Sequence, residues 1–182
     1  MTIRKRGQVW VETVLYTLIG LALIGLVLGF VTPRINEAKD KLAVEQTISS
    51  LNNLDERISS GLETPGNKRQ VDFTMKRGEM YIDGAKDQIR FLLSDLNKPY
   101  SEVGVPIDIG RVKIISKAGQ KSNSVELTLN YTGTFNLTYS DKGVLKDVEK
   151  KFTQAATPYT LSVENHGDLN NNGFFVVSIG AI

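Results

Sequence analysis

An uninterrupted apolar run near the N-terminus is the feature that most constrains this chain. Residues 13 to 32 carry no charge and consist almost wholly of Leu, Ile, Val, Gly and Phe. At a helical rise of about 1.5 Å per residue, the run spans about 30 Å, the thickness of a bilayer's hydrocarbon core. A secretory signal peptide has a shorter apolar region and a small-residue cleavage site, and the exit sequence GFVTPRINEAKDK has no such site. The run therefore predicts a membrane-spanning helix.

The charges that flank this run predict its orientation. Residues 1 to 7 carry three basic side chains and no acidic one, whereas residues 34 to 45 carry three of each. Basic residues are retained on the cytoplasmic side, so we expect the N-terminus inside and the rest of the chain outside. The 182 residues have a net charge of +2, which gives no nucleic-acid signal, and they include no Cys, which excludes disulfides and Cys-ligated metal.

One acid, Glu12, stands at the start of the apolar run. One interpretation places it among the lipid headgroups, where water solvates it. The other makes it functional, because an acid within a membrane helix is costly and usually has a partner. Its neighbours favour the second interpretation: a basic leader, then Gly7 and Gln8, with Glu12 at the fifth place counted from Gln8. This pattern resembles the class III signal sequence of archaeal type IV pilin-like proteins, although Trp10 stands where that family usually has Ser.

The resemblance implies a processing step and an assembly role. Residues 1–7 would be a leader peptide that a prepilin peptidase removes between Gly7 and Gln8. The family pattern then assigns Glu12 to the new α-amino group of Gln8 in a neighbouring subunit, since a buried cation requires an anion. Residues 13–32 would form the core of a helical filament, assembled by a pilus machinery.

Glycines punctuate the apolar run. Gly25 and Gly29 form a GxxxG pair, and Gly20 precedes them. Small residues let helix backbones approach closely in lipid, so Gly25 and Gly29 are candidate assembly residues. Pro33, just after the run, is expected to kink the helix.

Helical periodicity continues beyond the membrane segment. Apolar residues recur at steps of three and four with one gap near Glu45, at Ile35, Ala38, Leu42, Ile48, Leu51, Leu54 and Ile58. This predicts a helix over residues 8–60 whose second half is amphipathic. Loop-forming residues then predict a linker at 61–70.

Residues 71–182 change to a period of two, which predicts strands. Val71 to Met75 and Met80 to Ile82 are expected to form a hairpin across Arg77-Gly78. Residues 86–96 fit either a strand or a helix, and the strand is preferred. Further strands are predicted at 107–116, 123–131, 134–139, 146–153, 159–164 and 174–179. The predicted fold class is α+β, a long N-terminal helix followed by an antiparallel β-sandwich-like extracellular head.

Two N-x-[ST] sequons suggest a glycoprotein. They begin at Asn130 and Asn136, on either side of a Thr132-Gly133-Thr134 turn that predicts a hairpin. Alternation along that hairpin would place both asparagines on its polar face, where a glycan is accessible. Such tripeptides also occur by chance, so both interpretations stay open.

Other motifs point to no chemistry. The segment from Asp168 to Gly173 matches the first half of an EF-hand loop, but Ile179 stands where the loop's last acid belongs, and a polar turn is preferred. His166 is the only histidine, and no P-loop, GxGxxG or GxSxG motif occurs. We therefore predict no enzyme, no cofactor, and neither a catalytic nor a metal site.

The sequence thus indicates a pilin-like subunit of an archaeal type IV pilus-like surface filament. Its partners would be further copies of itself, the prepilin peptidase and the assembly machinery; it would start in the cell membrane and end on the cell surface, where it would serve adhesion. The alternatives are an uncleaved single-pass protein that displays a binding head without polymerising, and a membrane-tethered surface enzyme.

Overall fold

The computed structural model describes residues 4–62, 64–168 and 173–182, with side chains described from Val9 onward. The chain divides into two units, Met1–Lys39 and Asp40–Ile182. A single helix, α1 (Arg4–Ser59), provides the described part of the first unit and opens the second.

In the first unit, α1 leaves its apolar side chains exposed. The large apolar residues from Val9 to Val31 are all between 39% and 74% exposed. Pro33 lies inside α1 without ending it. By length and composition, α1 is the kind of helix that can cross a membrane.

The second unit follows α1 with a β-rich head. A 3-10 turn lies at Gly84–Lys86. The described part of the chain holds eleven strands: β1 (Lys68–Phe73), β2 (Glu79–Asp83), β3 (Gln88–Leu96), β4 (Pro106–Ile109), β5 (Val112–Ala118), β6 (Asn123–Asn130), β7 (Asn136–Asp141), β8 (Val144–Lys146), β9 (Glu149–Thr153), β10 (Tyr159–Asn165) and β11 (Val176–Ala181). The predicted α+β class with a sandwich-like head is confirmed. The helix ends at Ser59, and β1 begins within the segment predicted to be a linker.

The strands form two sheets. The first has the order β1-β10-β11-β7-β8, and the second has the order β4-β5-β6-β3-β2-β9. Strand pairs are antiparallel except β11 with β7, which is parallel. The ambiguous segment at 86–96 is therefore a strand, β3, and it lies inside the second sheet.

Period-two alternation builds the inner face of the second sheet. One row across the strands consists of apolar side chains that face each other in register: Phe152, Met80, Phe91, Leu127 and Ile114. All five are at most 5% exposed. They share one core with buried residues of the first sheet, such as Leu161 and Ile179.

The head-proximal part of α1 completes this core. Its buried apolar side chains are Val44, Ile48, Leu51, Leu54 and Ile58, in steps of four, three, three and four. The predicted stripe was correct from Ile48 onward, and Val44 fills the gap near Glu45. It was wrong for Leu42, which is 53% exposed, and Ile35 and Ala38 are exposed as well. Two residues turn a helix by about 200°, so Leu42 lies on the face opposite Val44.

Both predicted hairpins were wrong. β1 pairs with β10 and β2 pairs with β3 and β9, so residues 74–78 carry the chain from one sheet to the other. In the same way, residues 131–135 carry it from β6 in the second sheet to β7 in the first. The alternation of apolar and polar residues shows that two segments are strands. The pattern does not show whether the second strand pairs with the first or with a strand of another sheet, because the same alternation results in either case.

Two predicted single strands are each divided. Residues 107–116 include most of β4 and most of β5, which form a hairpin with Ile109 opposite Val112. Gly110 sits in this two-residue turn at φ 65°, a conformation that glycine adopts without strain. Residues 146–153 begin at the last residue of β8, in the first sheet, and end with β9, in the second.

We expect Leu51→Ala to lower the free energy of unfolding by about 2–5 kcal/mol, because Leu51 is fully buried and its truncation leaves a cavity. The measurement is denaturant unfolding of the full chain in detergent, followed through the β-sheet signal. Leu42→Ala, on the exposed face of the same helix, is the matched control and should cost less than about 0.5 kcal/mol. Equal losses for the two variants would contradict the assigned helix face.

Candidate functional site

The apolar segment of α1 carries the predicted assembly residues. Glu12, Gly25 and Gly29 all lie within the helix. A Cβ added at either glycine would meet nothing within 4 Å, so the helix surface is open at both. They are four positions apart in the sequence, which places them on one helix face. The backbones of Gly7 and Gln8 belong to α1, and the side chain of Gln8 lies outside the described part of the structure.

Three threonine hydroxyls in this segment find their hydrogen-bond partners within the helix itself. Thr13, Thr17 and Thr32 donate their hydroxyls to the carbonyls four residues earlier, over 2.9, 2.8 and 2.7 Å. A polar side chain that faces lipid or an apolar interface must find its partner within the helix, because no water is there to bond it. These bonds make the three threonines compatible with an apolar environment.

A buried aspartate joins α1 to the head at one end of their contact. Asp40, 8% exposed, accepts hydrogen bonds from Arg77 (Nη1–Oδ1 2.5 Å) and from the backbone and side-chain nitrogens of Asn97 (2.8 and 2.7 Å). Arg77 also donates to the carbonyls of Ser94 and Asp95. Burial acts to raise the pKa of Asp40, but the hydrogen bonds from Asn97 and Arg77, with the Arg77 charge, hold the pKa below its usual value.

A second aspartate lies at the other end of the contact. Asp55 is 7% exposed, and its Oδ2 is 3.7 Å from Arg111 Nε, in the β4–β5 turn. Asn52, one turn earlier on α1, accepts from the Arg111 backbone N–H and donates to the Ile109 carbonyl. The pKa of the Tyr131 hydroxyl is raised, mainly because the group is buried and secondly because the Asp55 carboxylate is nearby. Asp40 lies one turn before the apolar stripe and Asp55 lies within its last turn, and together they fix which face of α1 packs on the head.

The structure separates the two sequons. Asn130 ends β6 in the second sheet and is exposed, whereas Asn136 begins β7 in the first sheet and is half-buried. The prediction that both lie on one polar hairpin face is therefore wrong. The two asparagines therefore differ in how accessible their side chains are.

The fold also assembles a Ser–His–acid set that the sequence analysis missed. His166 Nε2 lies 2.8 Å from Ser178 Oγ, while Nδ1 lies 4.0 Å from Glu164 Oε1. Glu164 is also 3.2 Å from Lys68 Nζ. Ser178 is directly opposite Glu164 in the β10–β11 pairing, so only the strand register could have revealed the set.

The geometry of this set indicates a structural role. Ser178 is 2% exposed, in the middle of β11, so a carbonyl substrate has no approach to its oxygen. The Nδ1–Oε1 distance exceeds a hydrogen bond, so the carboxylate does not orient the imidazole. The contacts instead link β1, β10 and β11 across one face of the first sheet.

The EF-hand-like segment is only partly described. Asp168 Oδ2 accepts from the Gly173 backbone N–H at 2.8 Å, and residues 169–172 lie outside the described residues. Within the part of the chain that the structure describes, no group of three or more His, Cys, Asp or Glu side chains is arranged to hold a metal ion.

Comparisons of the chain with protein-family models, with curated proteins and with solved structures found no match. Function is therefore inferred from sequence and geometry alone.

The lowered pKa of Asp40 predicts an acid-sensitive contact between α1 and the head. Its carboxylate stabilises the fold above an unfolded-state pKa of about 4, and this contribution is lost as pH falls through the folded-state value. We expect Asp40→Asn to cost about 1–3 kcal/mol at neutral pH and to flatten the loss of stability between about pH 5 and pH 2. Denaturant unfolding across that pH range measures both effects.

Glu56→Gln provides the control, since Glu56 is an exposed acid of the same helix. The Glu56→Gln substitution should cost less than about 0.5 kcal/mol at neutral pH, because it changes an exposed side chain. A pH dependence of Asp40→Asn equal to that of the wild type would show that Asp40 does not titrate with folding.

Proposed function

We propose that this chain is a pilin-like structural subunit of a cell-surface filament, processed between Gly7 and Gln8 and assembled through α1. The observation that carries the proposal is the division of one helix into two chemically different parts. Its first part keeps the apolar side chains from Val9 to Val31 exposed, whereas its second part, from Asp40, is built into a folded head.

The exposed first part requires a non-aqueous cover. Burial of apolar surface is worth about 25 cal/mol per Å², so a segment of this size is unstable in water. A bilayer covers it before assembly, and the helices of neighbouring subunits would cover it afterwards. Gly25 and Gly29 favour close packing of such neighbours, because their shared face has no side chain to hold backbones apart.

Glu12 gives this packing a register. Cleavage before Gln8 would create an α-amino cation, and an unpaired cation in an apolar core costs several kcal/mol. A carboxylate at position 12 of an adjacent subunit would neutralise it only at one axial offset.

The head would form the outer layer of the filament. The three basic residues before Gly7 favour a cytoplasmic leader and an outward head. The head would then be the part that contacts surfaces and other cells, which supports adhesion as the role. Glycans on the head would face the medium. An uncleaved single-pass protein with the same head is the alternative, and the two differ in processing and in polymerisation.

The first test is the N-terminus of the mature protein. We expect Edman sequencing or intact-mass measurement of protein from its native cells to give Gln8 as the first residue, because the leader is removed on assembly. Gly7→Leu should leave the precursor uncleaved, whereas Thr2→Ala in the leader should be processed normally. An intact Met1 in assembled protein would rule out this processing.

The second test is the charge at position 12. We expect Glu12→Gln to insert into the membrane normally but to lower filament yield at least tenfold, because the amide cannot neutralise the Gln8 amine. Glu45→Gln is the matched control, since Glu45 is a partly exposed acid of the same helix that pairs with Lys41. Electron microscopy of sheared filaments and membrane fractionation give the two readouts. Normal filaments from Glu12→Gln would refute the pairing.

A further inference from the structure

The segment between β6 and β7 holds the first sequon on a rigid base. Tyr131 is fully buried and stacks on Phe135 with ring centroids 4.5 Å apart. Its backbone N–H donates to the Asp87 carbonyl, and its carbonyl accepts from the Thr134 N–H, each at 2.8 Å. Asn130 and Thr132, on either side of it, are exposed. The buried tyrosine therefore fixes both polar residues of the sequon at the surface.

The orientation of the Asn130 amide follows from its partners. The Thr132 backbone N–H lies 3.0 Å from Oδ1, and this group can only donate, so the atom that faces it must be the oxygen. The Thr132 hydroxyl lies 2.7 Å from the same Oδ1 and 3.1 Å from the Lys86 carbonyl. The hydroxyl has one proton, and the shorter distance indicates that it is donated to Oδ1 of Asn130. Nδ2 of Asn130 therefore points away from the turn.

This arrangement suits the amide nitrogen to nucleophilic attack. An amide nitrogen is a weak nucleophile because its electron pair is delocalised onto the carbonyl oxygen. As the Nδ2 proton leaves, negative charge develops on Oδ1, and two donors already aimed at that oxygen stabilise it. The geometry thus lowers the cost of forming the reactive species before any enzyme binds.

The second sequon lacks these features. Asn136 is in strand β7, its backbone N–H donates to the Phe175 carbonyl, and its side chain is half-buried. The hydroxyl of its sequon partner, Thr138, lies between strands, 3.5 Å from the Val177 carbonyl. Thr138 is 6% exposed, so an enzyme that must contact this hydroxyl cannot reach it in the folded head.

We propose that Asn130, and not Asn136, is the glycan acceptor of the head. The donor is an oligosaccharide activated on a lipid phosphate: the Nδ2–C1 bond forms, the C1–O bond to phosphate breaks with its electron pair, and the Nδ2 proton passes to a base of the transferase. The proposal rests on the outward head of the proposed function, but not on polymerisation.

The test is peptide mapping by mass spectrometry of the full chain from its native cells. We expect a glycan on the Asn130 peptide and an unmodified Asn136 peptide. Thr132→Val, which removes the hydroxyl at nearly constant volume, should lower Asn130 occupancy at least tenfold, whereas Thr132→Ser should retain it. Thr138→Val is the matched control at the second sequon and should leave Asn130 occupancy unchanged.

Protease treatment of intact cells separates this proposal from the proposed function. A head that is digested from outside, with Asn130 unmodified or Asn136 equally occupied, would overturn the acceptor assignment alone. A head protected from external protease would overturn the outward topology as well. Full occupancy in Thr132→Val would show that the hydroxyl has no role and would refute the geometric basis of the assignment.

Discussion

The exposed apolar surface of α1 between Val9 and Val31 is the constraint on which the rest depends. A lone helix has no second surface against which to bury its side chains, so this segment requires lipid or other helices. Its threonine hydroxyls are already bonded within the helix, so nothing in their chemistry opposes that transfer. Insertion into a membrane and assembly with other subunits would both remove this apolar surface from water. In the proposed function, the subunit is first inserted in the membrane and then assembled.

The second part of α1 buries its apolar side chains within the protein itself. From Val44 to Ile58 its apolar stripe is buried in the core between the sheets, so this half of the helix is part of the head. Asp40 lies one turn before the stripe and Asp55 lies within its last turn, each opposite an arginine from a different loop. Buried charges of this kind favour one rotation of the helix over others, because any other rotation leaves a carboxylate buried without its cation.

Local patterns in the sequence predicted the elements of the head but not their partners. Alternation identified β3 and β6 because one face of each strand is buried, and the helical steps identified Ile48, Leu51, Leu54 and Ile58. The same alternation could not tell a hairpin from a crossing between sheets, and both predicted hairpins were wrong for that reason. Of the candidate sites, the sequons were visible as tripeptides, whereas the Ser178–His166 contact depends on the β10–β11 register.

The sequence by itself determined the long apolar helix, the position of Glu12 within it, and the α+β division of the chain, because each follows from composition and period along the chain. Only the tertiary structure decided which face of α1 is buried, which strands are neighbours, and which asparagine presents its amide nitrogen. Those depend on contacts between residues distant in sequence. Asn130 differs from Asn136 because the buried Tyr131 holds one sequon in a turn, whereas the pairing of β7 with β11 buries the hydroxyl of the other.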